Sequence, residues 1–298
     1  MQNKKLSTYG IIFAITGIVL FSAKAVLVKL AYRYTISSEH LLLFRMLFSL
    51  PFYLVIAVFS KRDTTVKTTY RDYLWIVFFG FIGYYLASYF DFLGLQYIKA
   101  GLERIILFLY PTLVIIISRI FLKDKISQRQ LMAMMLTYIG VVITFWGEVR
   151  LDSQNLYLGG FLIFLSALTY AIYIVGSGWL IPKFGVVVFT SYAMIVSSMC
   201  IILQYLIFDR GDILGYPLEL YIICLVMAVF STIIPSYLVS ASIAKIGASN
   251  FSIIASLGPF STIILAYLFL DENLSLIQIT GAGIVILGIY IVSSKPKS

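Results

Sequence analysis

Six charged side chains stand where the chain is otherwise built for oil. Lys24 and Lys29 interrupt the run LFSAKAVLVKLAYRY at 20–34, Arg45 and Asp91 fall in two further apolar stretches, and Glu103-Arg104 opens a fourth. In a low-dielectric medium such charges either pair and fasten helices together, or hold the charged group of a bound molecule. Lys24 is the most confined of them. Both roles are open to it: an ion pair with Asp91 or Glu103, or contact with a bound molecule and exchange of a proton with it. The excess of positive charge favours a partner bearing a carboxylate or a phosphate. Hydroxyl groups that could hold the remainder of such a molecule recur later in the chain. The substrate-binding candidates are therefore Lys24, Asp91, Glu103 and Arg104, with Tyr85, Tyr110, Ser236, Tyr237 and Ser256.

What positions these residues follows from composition. The 298 residues are 61% hydrophobic and 12% charged, against about 25% charged in an average soluble domain, which excludes a water-soluble globule. Breaking the chain at its polar clusters leaves apolar segments at about 9–31, 40–60, 73–95, 103–122, 130–147, 157–181, 184–208, 217–240, 248–270 and 276–293. Each is about the length of a membrane-crossing helix. The fold class expected is an all-α integral membrane protein of ten transmembrane helices.

Assigning alternate loops to alternate sides places Lys4, Lys5, Lys61, Arg62, Lys67, Arg71, Lys123, Lys125, Arg129, Lys183, Lys245, Lys295 and Lys297 on one side. The other receives Arg33, Lys99, Arg104, Arg150 and Arg210. Basic residues favour the cytoplasmic face, so both termini are expected there. The net charge of +9 then needs no nucleic acid to explain it. Cys200 and Cys224 lie in apolar runs as packing residues, with no spacing for a metal or a redox pair. Neither paired histidines nor a phosphate-cradling glycine loop is present, so an enzyme and a cofactor are not expected.

Counting about 1.5 Å per residue along the first segment puts Lys24 about 22 Å from the cytoplasmic end. Lys29, Arg45 and Arg104 fall nearer the outer headgroups, within reach of snorkelling. His40, at a helix mouth, is expected to be exposed at the interface.

Shifted by 148 residues, the chain resembles itself. YPTLVIIISRIFLKDKISQRQ at 110–130 aligns without a gap on GPFSTIILAYLFLDENLSLIQ at 258–278, with Pro111 on Pro259 and Gln130 on Gln278; further on, Gly140 falls on Gly288. Five segments per half is an odd number, so the second half is expected upside down relative to the first. Inverted repeats are a recurrent basis of alternating access around a site near the bilayer midplane. Pro111 and Pro259 become paired bends, as hinges or as static kinks. Gly281, Gly283 and Gly288 suit close helix packing, within a monomer or in a homodimer.

The proline-bearing segments followed by FLKDKIS and FLDENLS, and the glycine-rich YIGVVITFWG and GAGIVILGIYIVS, resemble the paired EamA domains of the drug/metabolite transporter superfamily. Lys29, Arg45, Asp124 and Glu272 fall at charged positions usual in that family. The resemblance implies one repeat over 1–147, a second over 157–294 and a cytoplasmic tail at 295–298. It also implies a central cavity formed by the first, third and fourth segments of each half. The function expected is secondary transport of a small polar metabolite, in export or exchange and with proton coupling open. Efflux of a lipophilic cation by Asp91 and Glu103 is the alternative.

Overall fold

The computed structural model describes residues 7–61, 64, 66–95, 97, 106–123, 125–145, 155–208, 211–270 and 275–293. Among them every regular element is helical. The first, α1, spans Thr8–Tyr32, and its opening turn is closed by the Ser7 hydroxyl, which accepts from the Gly10 amide at 3.4 Å. Ser37 caps α2, Ser38–Phe59, in the same way at 3.1 Å. The third, α3, Tyr70–Gly80, starts from a reciprocal Thr69–Asp72 capping box. It runs through a π-helical turn, Phe81–Leu86, into α4, Ala87–Leu95. After it come α5, Tyr110–Ile117, with a π-helical turn at Ser118–Leu122, and α6, Gln128–Phe145.

In the second part α7, Leu156–Phe184, and α8, Val186–Phe208, are separated only by Gly185. Its φ of 81° lies in the left-handed region, where a side chain is strained. α9, Leu218–Ala228, passes through a third π-helical turn, Val229–Ile233, into α10, Ile234–Ile246. α11, Ala248–Ile254, ends in a 3-10 turn, Ala255–Leu257, before α12, Gly258–Leu270; α13 is Leu276–Ser293.

Among the described residues seven stretches are long and apolar enough to cross a bilayer: Thr8–Tyr32, Glu39–Phe59, Tyr70–Asp91, Leu156–Phe184, Val186–Phe208, Leu218–Ile246 and Ala248–Phe269. Tyr110–Leu122 and Leu276–Val292 are shorter apolar helices. Several boundaries differ by two or more residues from those read in the sequence. The helix expected to end at 181 reaches Phe184, and the one expected to end at 240 reaches Ile246. Pro182 and Lys183, left between the segments 157–181 and 184–208, lie within α7.

Contacts define the two ends of the bundle. At one end, Gly10 meets Lys245 and Ile246, Thr64 donates to the Lys183 carbonyl at 2.7 Å, and Gln130 donates to Asn250 at 3.0 Å. At the other, His40 meets Tyr216, and Ile36, Leu41 and Phe44 pack with Leu220 and Cys224. Between the ends the core is continuous, its largest fully buried side chains including Tyr53, Tyr173, Phe184, Phe189 and Phe251. Outward-facing Val58, Phe59, Phe208 and Leu268 remain exposed, which suits lipid rather than water.

α6 and α13 pack closely along their length. A Cβ on Gly140 would lie 2.6 Å from the Gly281 carbonyl oxygen, and one on Gly288 would lie 2.9 Å from that of Ala133. Residues later in α6 therefore meet residues earlier in α13, so the pair is antiparallel.

Candidate functional site

On α2, Arg45, Ser49 and Tyr53 follow one another at four-residue steps, which places them as a stripe down one side of the helix. All three are buried; Arg45 is 6% exposed. Sequence reading sent Arg45 to the headgroups, and the structure corrects this. α8 and the α9–α10 π-helical turn pack over α2 and leave the guanidinium no route outward. Among the described residues its Nε has no hydrogen-bond partner, and the nearby groups that act on its charge are the hydroxyls of Tyr53 and Tyr84.

Those hydroxyls belong to a chain of tyrosines crossing the molecule. The Tyr53 hydroxyl lies 2.9 Å from Ser236 Oγ and donates to the Thr232 carbonyl at 3.3 Å. Its ring lies 5.9 Å from that of Tyr237, whose hydroxyl is 2.7 Å from Ser191 Oγ. On the other side Tyr84 meets Tyr173 edge to face at 5.0 Å, Tyr173 stacks on Tyr170 at 6.3 Å, and Tyr170 meets Tyr110 at 5.5 Å. The Tyr110 hydroxyl then donates to the Ser252 carbonyl at 3.4 Å. Gly83 lets the π-helical turn of α3 and α4 lie flat against the Tyr173 ring.

Tyr110, Ser236 and Tyr237, singled out from sequence, thus join this chain. Tyr85 lies beside it, its ring 5.2 Å from Phe81 and 6.4 Å from Tyr89. Ser256 is buried, and its hydroxyl donates to the Ile253 carbonyl of its own helix. Lys24 is half-buried on α1 with its ammonium 5.2 Å from the centre of the Phe21 ring, a cation–π distance. Asp91 is half-buried on α4. Glu103, Arg104, Asp124 and Glu272 lie outside the described residues. Pro111 and Pro259 both stand in the first turn of a helical run, after the turn at 108–109 and the 3-10 turn at 255–257 respectively. There a missing N–H disrupts no ladder.

His40 is a second correction. It is 7% exposed, with Nδ1 2.8 Å from the Tyr216 hydroxyl and the rings of Tyr205 and Tyr216 edge-on to it. The segment before α9 folds back over the helix mouth, which no local pattern announced.

At the opposite end a charged contact was not foreseen. Lys183 on α7 reaches Asp72 on α3 at 2.7 Å and lies 4.2 Å over the Trp179 ring. Asp72 also accepts from the amide and hydroxyl of Thr69. Beside this contact is a cleft of about 450 Å³ lined by Lys61, Ile181, Phe184, Val186, Val188 and Ala244. A second cleft, about 510 Å³ and nearly all apolar, has Tyr237 on its wall together with Phe13, Ile56 and Leu238.

Among the described residues no cluster of histidine, cysteine and carboxylate suits a metal. Fixed hydroxyls around a buried cation, in a bundle of apolar helices, suit binding of a polar solute within a membrane. The fold and site define a multi-pass membrane protein with a polar, tyrosine-lined interior. Matching the EamA-like transporter family over residues 8–146 and again over 157–294, the chain belongs to that family and is a transporter.

Similarity to individual proteins agrees. The chain is 31% identical to the uncharacterized transporter YcbK of Bacillus subtilis (strain 168) over 281 residues, covering 92% of this chain and 89% of that one. It is 29% identical to an uncharacterized transporter of Archaeoglobus fulgidus over 81% of this chain and 83% of that one. A chain in a solved crystal structure superposes with a TM-score of 0.79 at 13% identity, over 95% of this chain and 98% of that one. This last likeness concerns the fold.

Proposed function

We propose that the protein is a secondary transporter that moves a small polar metabolite, an amino acid or another carboxylate- or phosphate-bearing compound, across the cytoplasmic membrane. It does so by alternating access between two inverted five-helix repeats, in export or exchange. The observation that carries this reading is a contact pattern that maps onto itself. Adding 148 to one partner and subtracting it from the other turns Gly140–Gly281 into Gly288–Ala133, and Gly140–Val285 into Gly288–Thr137. Two antiparallel helices exchanged in this way are related by a two-fold axis perpendicular to both, which in a membrane lies in its plane.

The same shift relates other features. It carries the π-helical turn starting at Phe81 onto the one starting at Val229, and the Tyr110–Tyr170 ring contact onto Gly258 and Ser22, which share a 3.0 Å hydrogen bond. Two copies of one fold in opposite orientations supply two nearly equivalent states, open to opposite sides. Both termini are then cytoplasmic, at the end where Lys61, Lys183 and Lys245 gather, as basic residues favour.

Counterflow into proteoliposomes tests the reading, with labelled amino acids, organic anions and quaternary amines outside and unlabelled solute within. Uptake of an acid, stimulated by solute on the far side and altered in Lys24→Ala, is the expected result. Uptake of a quaternary amine that is lost on Asp91→Asn would replace it with cation efflux, and uptake indifferent to the far side would replace it with a channel. Repeating the assay with an imposed pH gradient shows whether a proton moves with the solute.

A further inference from the structure

We infer that Arg45, with the hydroxyls around it, is a binding position for a single carboxylate of the transported molecule. The inference rests on the transporter reading above and deepens it by naming the substrate class. Three observations carry it.

The first is a buried cation with an unpartnered nitrogen among the described residues. Arg45 begins the third turn of α2, about 10 Å along the helix from its first residue, inside the span Glu39–Phe59. It is 6% exposed, and among the described residues its Nε has no hydrogen-bond partner. A buried charge held this way is costly unless something pairs with it. The guanidinium is planar, always charged, and matches a carboxylate bidentately.

The second is the state of the neighbouring hydroxyls. Ser197 on α8 and Ser231 on the α9–α10 π-helical turn are fully buried and have no hydrogen-bond partner among the described residues. Both elements pack on α2, the helix that carries Arg45. Serine ordinarily satisfies itself by donating to a carbonyl of its own helix, as Ser49 does to Arg45 at 2.6 Å and Ser177 to Tyr173 at 2.7 Å. Idle donors on two elements packed against the helix that carries an idle cation mark an incomplete site.

The third is charge balance. Among the described residues the groups that act on Arg45 are the neutral phenols of Tyr53 and Tyr84, so one monoanion matches its single positive charge. A phosphate monoester, near two negative charges at neutral pH, would leave a buried surplus. This selects a carboxylate over a phosphate. A quaternary amine would be repelled.

The experiment uses the detergent-purified full-length protein and reads its thermal unfolding with sodium lactate, methyl lactate, inorganic phosphate and tetraphenylphosphonium as probes. Lactate is expected to raise the midpoint in a saturable way, and methyl lactate to leave it unchanged. Arg45→Gln is expected to raise the lactate concentration for half effect at least tenfold, and Arg45→Lys by less, since the charge survives and the fork does not. A lactate effect equal to that of methyl lactate, an equal effect in folded Arg45→Gln, or a stronger effect of phosphate or tetraphenylphosphonium would overturn the inference. The comparison of acid with ester needs only the unaltered protein, so it decides even where a variant does not fold. Counterflow on the same preparation separates the two readings. Lactate stabilisation that needs Arg45 without any exchange would strike the transporter reading alone, whereas acid exchange unchanged in Arg45→Gln would strike this inference alone.

Discussion

Tyr53 shows what a single hydroxyl does in this interior. It bridges α2 to the α9–α10 segment through Ser236 Oγ and the Thr232 carbonyl, and it is fully buried. In Tyr53→Phe the Ser236 hydroxyl keeps its own bond to the Ile233 carbonyl at 2.7 Å, so little is left unsatisfied. The expected loss is therefore about 1 kcal/mol, the net worth of an ordinary buried hydrogen bond, read as a lowered midpoint of thermal unfolding. Ser236→Ala should cost a similar amount, and the double variant less than the sum, because both act on one bond. At this scale the sequence was partly legible. Tyr110, Ser236 and Tyr237 stood out as polar groups in apolar runs and do join the tyrosine chain. Arg45 was visible too, but its burial was not: a charge near a helix end looks alike whether it turns to the headgroups or inward. The four-residue stripe of Arg45, Ser49 and Tyr53 was the available signal.

Helices meet here through missing side chains, and glycines on one element give opposite expectations. Gly140 on α6 and Gly288 on α13 sit where a Cβ would press on a carbonyl of the facing helix, whereas around Gly283 nothing lies within 4 Å. Gly140→Ala and Gly288→Ala should each cost about 1–3 kcal/mol, as overpacked contacts do. Gly283→Ala should be neutral or slightly stabilising, since alanine is the better helix former by about 1 kcal/mol. Thermal unfolding of the three variants checks this, and a Gly140→Ala as stable as Gly283→Ala would mean that α6 and α13 do not meet as described. That the chain folds into apolar helices was readable from apolar length alone. The π-helical turns were not, because one extra residue in a turn is chosen by the packing around it, as Gly83 against Tyr173 shows, and apolar composition is blind to it.

At the scale of the molecule, the two ends are closed by different chemistry even though the proposed inverted repeat would relate them. Under the 148-residue shift Asp72 maps to Leu220 and Lys183 to Thr35, so the ion pair at one end has no charged counterpart at the other. There His40, Tyr205 and Tyr216 form an aromatic cap instead. On the proposed topology the ion pair fastens α3 to α7 on the cytoplasmic side, next to the cleft walled by Val188. With side chains 26% and 9% exposed, its coupling should be about 1–2 kcal/mol, between a surface pair and a buried network. Two nearly balanced states respond about tenfold to 1.4 kcal/mol. Lys183→Ala should therefore raise the rate at which an impermeant maleimide labels Val188→Cys, in a background without Cys200 and Cys224, by several-fold to tenfold from the cytoplasmic face. Asp72→Asn should do the same, and the double variant should add little, because either change removes one shared bond. Labelling that stays at the parent rate in both single variants would mean that the pair ties α3 to α7 without controlling access.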